Sequence, residues 1–194
     1  MNKAEQKRQQ IVETADRRFR DYGYNKTTMA EIADDLKMSA ANLYRFFKSK
    51  QQIAAACAER CMGERGECLV EVVNQTDLSA AEKLYAFVLE DMRYTHEREK
   101  EPKINELIEI VSREHKEIVL SMVDSQCELI SKILEQGNAS GEFDVEDIPK
   151  TARTIYSSLT LFEVPLFLPL FTKEQFETMA SNLVELLLVG LKKR

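Results

Sequence analysis

Ser39, Asn42, Tyr44 and Arg45 fall within one short segment, and Lys48 and Lys50 lie just beyond it. These residue types suit hydrogen bonding to base edges and phosphates better than acid–base or nucleophilic catalysis. An Asn side chain pairs naturally with adenine N6 and N7, and Ser reaches either kind of base edge. Ala40 and Ala41 offer apolar contact to thymine methyl groups. Tyr44 carries a phenol that would donate to a phosphate. Lys48 and Lys50 flank the start of a helix, which is itself an anion site. Thr27 and Thr28 complete the candidate DNA-contacting set. The plain alternative is an ordinary solvated helix in an all-helical protein.

Such side chains read DNA only if rigid elements present them. Thr28-Met-Ala-Glu31 is a capping box, which satisfies the free N–H groups at a helix start. Met29, Ile32, Ala33 and Leu36 then recur at helical spacing as one apolar stripe. Lys37-Met38 breaks the run, and Ser39 is a good N-cap for a second short helix over 40–47. Leu43 and Phe47 form its inner side and leave the polar set outside. Two short packed helices joined by a tight turn make a helix-turn-helix. Upstream, Ile11, Val12, Ala15, Phe19 and Tyr22 mark a first amphipathic helix, with Gly23 as its C-cap. Downstream, Ser49-Lys-Gln-Gln52 is a further capping box, opening a long helix to about Leu69 or Val73.

The run MSAANLYRFFKSKQQI resembles the recognition helix and following turn of the TetR family of transcriptional repressors. A hydrophobic residue and Ser precede the helix, Leu43-Tyr44 sits mid-way, Phe47 comes near its end, and Lys50 opens the next helix. Phe19-Arg-Asp-Tyr-Gly23-Tyr, Thr27-Thr28 and Ile32-Ala33 extend the resemblance over about the first 55 residues. Ala41 stands where the family often has Gly or Pro, and Phe46 where it often has His or Tyr. Phe46 lacks a phosphate-binding group. The resemblance implies a homodimer built through a four-helix bundle of the last two long helices. It also implies a palindromic operator, bound in the ligand-free state and released when a small molecule enters the body.

The chain has 194 residues, enough to bury a core without staples. Its net charge is −6. That charge is unevenly spread: residues 1–50 carry net +4 and residues 51–194 net −10. A basic head on an acidic body suits a DNA-binding module carried by a regulatory domain. The polar N-terminus has no apolar signal segment, and no apolar run is long enough to span a bilayer. A cytoplasmic location without membrane contact is expected, and with it reduced cysteines.

An all-α fold follows: an N-terminal three-helix helix-turn-helix DNA-binding domain over 1–50 and a C-terminal helical ligand-binding and dimerisation domain over 51–194. Further helices are expected from Asp77 or Ser79 to about Lys100, with Leu84, Phe87, Val88 and Met92 inward. One around Ile104, Leu107, Ile108 and Val111 comes next, then one from Ile118 to Gly137. Asp147 and Thr172 cap the last two. Leu183, Val184, Leu186, Leu187, Leu188, Val189 and Leu191 make the final helix apolar almost all round, which calls for a partner chain on one side. Ser157, Leu161, Leu183, Leu187 and Leu191 are the candidate dimer contacts.

A largely apolar effector is expected in the body, held by Phe87, Met92, Ile108, Met122 and Phe162. Arg65, Arg93, His96, Arg98 and Gln126 are candidate polar anchors, of which His96 and Gln126 suit best. Cys57, Cys61 and Cys68 lie at helical spacing, and Cys61 joins the effector candidates. Small buried hydrophobes are their ordinary role. The alternatives are a cysteine-based metal or redox sensor on the same fold, or a helical interaction protein with no DNA role. No phosphate-binding loop or hydrolase motif is present, so no enzyme, cofactor or metal is expected.

Overall fold

The computed structural model describes residues 2–98 and 103–192. Ten α-helices and one 3-10 helix make up the described chain, and no strand forms there. The helices are α1 Lys3–Tyr22, α2 Met29–Asp35, α3 Ala40–Phe46, α4 Lys50–Val73 and α5 Ala80–Arg98. Then come α6 Ile104–Glu114, α7 Lys116–Ser140, α8 Ile148–Ser158, α9 Thr160–Glu163 and α10 Lys173–Leu191. The 3-10 helix, Pro165–Leu170, precedes α10. The expected end of α5 at Lys100, before Pro102, lies outside the described residues, as does the Arg98 side chain.

Caps set most of these boundaries. Asn2 and Glu5 form a capping box at α1, and Gly23 ends that helix by donating its N–H to the Phe19 carbonyl. Gly23 has φ of 93°, which strains a larger residue, and an added Cβ would also push on the Glu106 carboxylate at 3.0 Å. Thr172 and Gln175 form the box at α10, and Asp147 caps α8 with Pro149 in its first turn. At α4 the expected box changes shape. Ser49 Oγ accepts from Gln52 N–H at 3.3 Å, but the Gln52 side-chain Oε1 accepts from Lys48 N–H and not from Ser49.

The expected stop of α7 at Gly137 moves to Ser140, with Gly141 in the left-handed region at φ of 75°. Gly137 serves another purpose. A Cβ there would overlap the Phe143 ring, so the glycine lets that ring lie against the helix.

Two compact units result. One comprises Met1–Gly63 and Glu101–Leu120, the other Glu64–Lys100 and Ser121–Arg194. The expected division at residue 50 follows the motif; compactness divides the chain within α4 and groups α6 with the first unit. The first core gathers Ile11, Phe19, Ile32, Leu43, Phe47 and Leu107 among others. The second is larger and includes Leu84, Phe87, Ile130, Phe162, Phe176 and Val184. Burial of side chains of this size stabilises by roughly 1.5–3 kcal/mol each before conformational entropy is set against it. Among the described residues no helix is long and apolar enough to cross a membrane.

Candidate nucleic-acid interface

The interface starts at the cap of α2. Glu31 Oε2 accepts from the Thr28 N–H and hydroxyl, both at 2.8 Å, and Thr28 Oγ1 accepts from Glu31 N–H. Hydrogen bonds from Thr28 hold the Glu31 carboxyl below its usual range, with Arg18 adding to the effect. Arg18 also bridges to Glu31 at 2.9 Å and Asp35 at 2.8 Å, fixing α2 against α1.

The turn between α2 and α3 is a Schellman-type cap. Met38 N–H reaches the Ala33 carbonyl at 3.0 Å, and Lys37 takes φ of 52°. A lysine thus sits where glycine is favoured. Ser39 then accepts from Asn42 N–H at 3.2 Å and starts α3. Leu43 is fully buried and Phe47 nearly so, which turns the opposite face outward. Ser39, Ala41, Asn42, Tyr44 and Arg45 are exposed, with Ala40 half-buried. Lys48 is exposed just past the helix. Donors, acceptors, methyls and cations therefore share one solvent-facing side of a short helix.

Two expected contacts are corrected. Thr27 is 1% exposed, and its hydroxyl donates to the Gly23 carbonyl at 2.8 Å. The group therefore closes the loop before α2 and has no surface to offer DNA. Lys50 also turns inward. Its ammonium donates to the Tyr24 and Thr27 carbonyls, both at 2.7 Å, and lies 4.2 Å from the Tyr24 ring centre. It pins the α1–α2 loop, and burial lowers its pKa. Thr28 stays exposed, with its hydroxyl committed to the cap.

One residue was missed. The Arg8 guanidinium stacks over the Phe47 ring at 4.6 Å, at the end of α3. A basic residue early in α1 carries no sequence signal of that placement, because the contact spans two helices.

The expected effector residues divide between the units. Phe87, Met92 and Phe162 are buried in one core cluster of the second unit. His96 faces Phe176 there, and Phe176 faces Phe162, with ring centres 6.4 and 6.1 Å apart. Gln126 is 3% exposed and Met122 half-buried in the same unit. Arg65 is buried against Asp91 at 2.6 Å. An open groove of about 510 Å³ adjoins Tyr85, Leu89, Arg93, Glu177 and Ser181 on α5 and α10. Ile108 and Cys61 fall in the first unit, and Ile108 packs on its core, so the expected grouping with Phe87 is corrected.

Cys57 makes a weak sensor. Cys57 is 1% exposed, and burial pushes its pKa well up, away from the reactive thiolate. Among the described residues no three metal-ligating side chains converge.

On α10, Leu186 and Val189 are 70% and 76% exposed. Leu183 and Leu187 are half-buried, packed on the second core, as is Leu161. Ser157 is exposed on α8, its hydroxyl donating to the Arg153 carbonyl. Leu191 is 7% exposed within its own chain's core, which corrects its place among the dimer contacts.

Residues 11–57 match the bacterial regulatory proteins of the tetR family. Residues 80–184 match the tetracyclin repressor-like C-terminal domain. A solved transcriptional regulator from Cytophaga hutchinsonii is 20% identical with a TM-score of 0.76, covering 95% of this chain and 98% of its own. SmeT, the repressor of the Stenotrophomonas maltophilia multidrug efflux pump SmeDEF, is 18% identical with a TM-score of 0.72, covering 96% and 90%. The fatty acid degradation regulator FadR from Bacillus halodurans is 19% identical with a TM-score of 0.71, covering 97% of each. At these identities the likeness concerns the fold. No curated protein matches the chain.

Proposed function

This chain belongs to the tetR family of bacterial regulatory proteins, and on that premise we propose a dimeric repressor that binds a palindromic operator and is released by a small molecule. The exposed face of α3 carries the reading. Asn42 reads a base edge, with Ser39, Ala40 and Ala41 beside it in the major groove. Tyr44, Arg45 and Lys48 contact phosphates, joined by Arg8. Phosphate contacts set register and carry the salt dependence, while base contacts set sequence preference.

Dimerisation is proposed through α8 and α10. The observation in favour is the uncovered Leu186 and Val189 on a helix whose other apolar residues pack inward. Two α3 helices then meet successive major grooves, about 34–36 Å apart. The α4 helix begins at the helix-turn-helix and continues into the second unit's sequence. An effector in that second unit would favour a spacing of the two heads that no longer fits DNA. It acts only by the difference between its affinities for the two states.

The test is fluorescence anisotropy on operator selected from random duplex, with salt varied. The reading expects tight binding to selected sequence, weaker binding to random duplex, and a steep loss of both with salt. Absence of DNA binding at low salt would leave the helical interaction protein as the better reading.

A further inference from the structure

Five helices bring an unusual polar group into the apolar second unit. Arg65 of α4 donates through Nε to Asp91 Oδ1 of α5, and the two side chains are 6% and 1% exposed. Glu163 of α9 is 9% exposed and faces Asp91, with Tyr156 of α8 alongside. Cys127 of α7 lies within reach of the Glu163 charge. Buried polar groups are normally hydrogen-bonded, because an unpaired one forfeits its hydration without return. Here Asp91 Oδ2 and Glu163 Oε1 are buried with no donor from a third residue, so that only the Glu163 proton can join the two acids, and Gln126 Oε1 of α7 is buried without a hydrogen-bond partner. All three are acceptors. With Glu163 protonated, its carboxyl hydrogen-bonds to Asp91, and Arg65 balances the one remaining negative charge. Once that proton leaves, two negative charges face one positive charge, and the group is short of one cation and of donors.

We propose that the effector is an organic cation, a protonated amine on an apolar body, whose ammonium seats between Asp91 Oδ2 and Glu163 Oε1. This deepens the effector-responsive reading above and rests on it. An ammonium brings up to three donors and one positive charge, and so replaces the proton that joins the two acids. A bare metal ion fits less well, since no three ligating side chains converge among the described residues. The apolar body is expected to lie along Met92 and Phe162, the chain neighbours of the two acids, both in the core.

Proton balance follows from the same geometry. Burial, and then the Asp91 charge, push the Glu163 carboxyl up to about 8. Arg65 and Tyr156 pull it the other way, and the Cys127 thiol feels the Glu163 charge. At neutral pH Glu163 therefore keeps its proton, and the entering ammonium displaces it. Affinity then rises about tenfold per pH unit until Glu163 ionises unaided near pH 8, and levels off beyond.

The experiment is calorimetry on the full chain with phenylalkylamines of three lengths, each beside its matched alcohol and carboxylate. The same compounds are scored for release of selected operator. An amine should bind at least about tenfold more tightly than its alcohol, with the carboxylate weakest. Glu163→Gln should remove the pH dependence and most of the preference, while Tyr156→Phe, which keeps both charges, retains it. Equal binding of amine and alcohol, no binding by any amine, or a preference that survives in a folded Glu163→Gln would overturn the proposal. Operator binding without ligand is measured on the same protein. Its absence alongside an intact amine preference would count against the regulator reading instead.

Discussion

Asn42 and Lys50 carry opposite lessons about single residues. Asn42 is exposed on α3, and Asn42→Ala should cost roughly 1–3 kcal/mol on operator while leaving random-duplex affinity unchanged. Anisotropy on both duplexes checks this. Lys50 has the residue type and position of a phosphate contact, yet its ammonium closes two loop carbonyls. Lys50→Met should therefore destabilise the fold by about 1–3 kcal/mol in urea and leave the salt slope of DNA binding alone. A slope lowered by about one ion, with stability intact, would return Lys50 to the DNA surface. Glu163 tests buried charge. Its folded pKa is raised from 4.5 to about 8, so the native state binds the proton more strongly than the unfolded chain. Its contribution is complete below pH 4.5 and is lost as pH rises to 8. Glu163→Gln should thus gain on the parent protein across that window, by up to a few kcal/mol. A gap between the two denaturation curves that stays constant with pH would contradict it. Residue types announced the exposed face of α3, but not the inward turn of Lys50 or Thr27. Those depend on where the α1–α2 loop places its carbonyls, which no local pattern encodes.

At the scale of elements, caps were legible because their partners sit three residues apart. Thr28–Glu31, Ser39–Asn42 and Thr172–Gln175 all form as their spacing implies. The ends of helices were harder. Gly137 has the residue type of a cap, but it is buried inside the last turn of α7 to admit the Phe143 ring, a contact made only after the chain reverses. Gly137→Ala should therefore cost at least about 1–3 kcal/mol in thermal unfolding, more than the gain in helix propensity returns. Lys37 is the mirror case, a lysine in a left-handed cap. Lys37→Gly should stabilise by up to about 1 kcal/mol in urea, the strain relieved exceeding the entropy lost. No gain would mean that the turn relaxes around lysine at no cost.

For the whole molecule, the all-helical class and the charge split between head and body were legible from composition and period. The place of α6 was not. Glu106 accepts from the Asn25 N–H at 2.8 Å, and Lys103 reaches the Asp21 carbonyl, so α6 joins the first unit through contacts about 80 residues apart in sequence. Assembly is tested on α10. Leu186→Glu with Val189→Glu should give a folded monomer at low micromolar concentration in sedimentation, because both side chains are already exposed within one chain. A dimer that persists would move the interface elsewhere. The central claim is that the outer face of α3 reads operator sequence for a symmetric dimer. Selection from a random duplex pool, run in parallel on the parent protein and Asn42→Ala, tests it most directly. The parent should enrich an inverted repeat with half-sites about one helical turn apart, and the variant should lose preference at one symmetric pair of positions. Enrichment of no sequence, or the same repeat with unchanged preference from the variant, would contradict it.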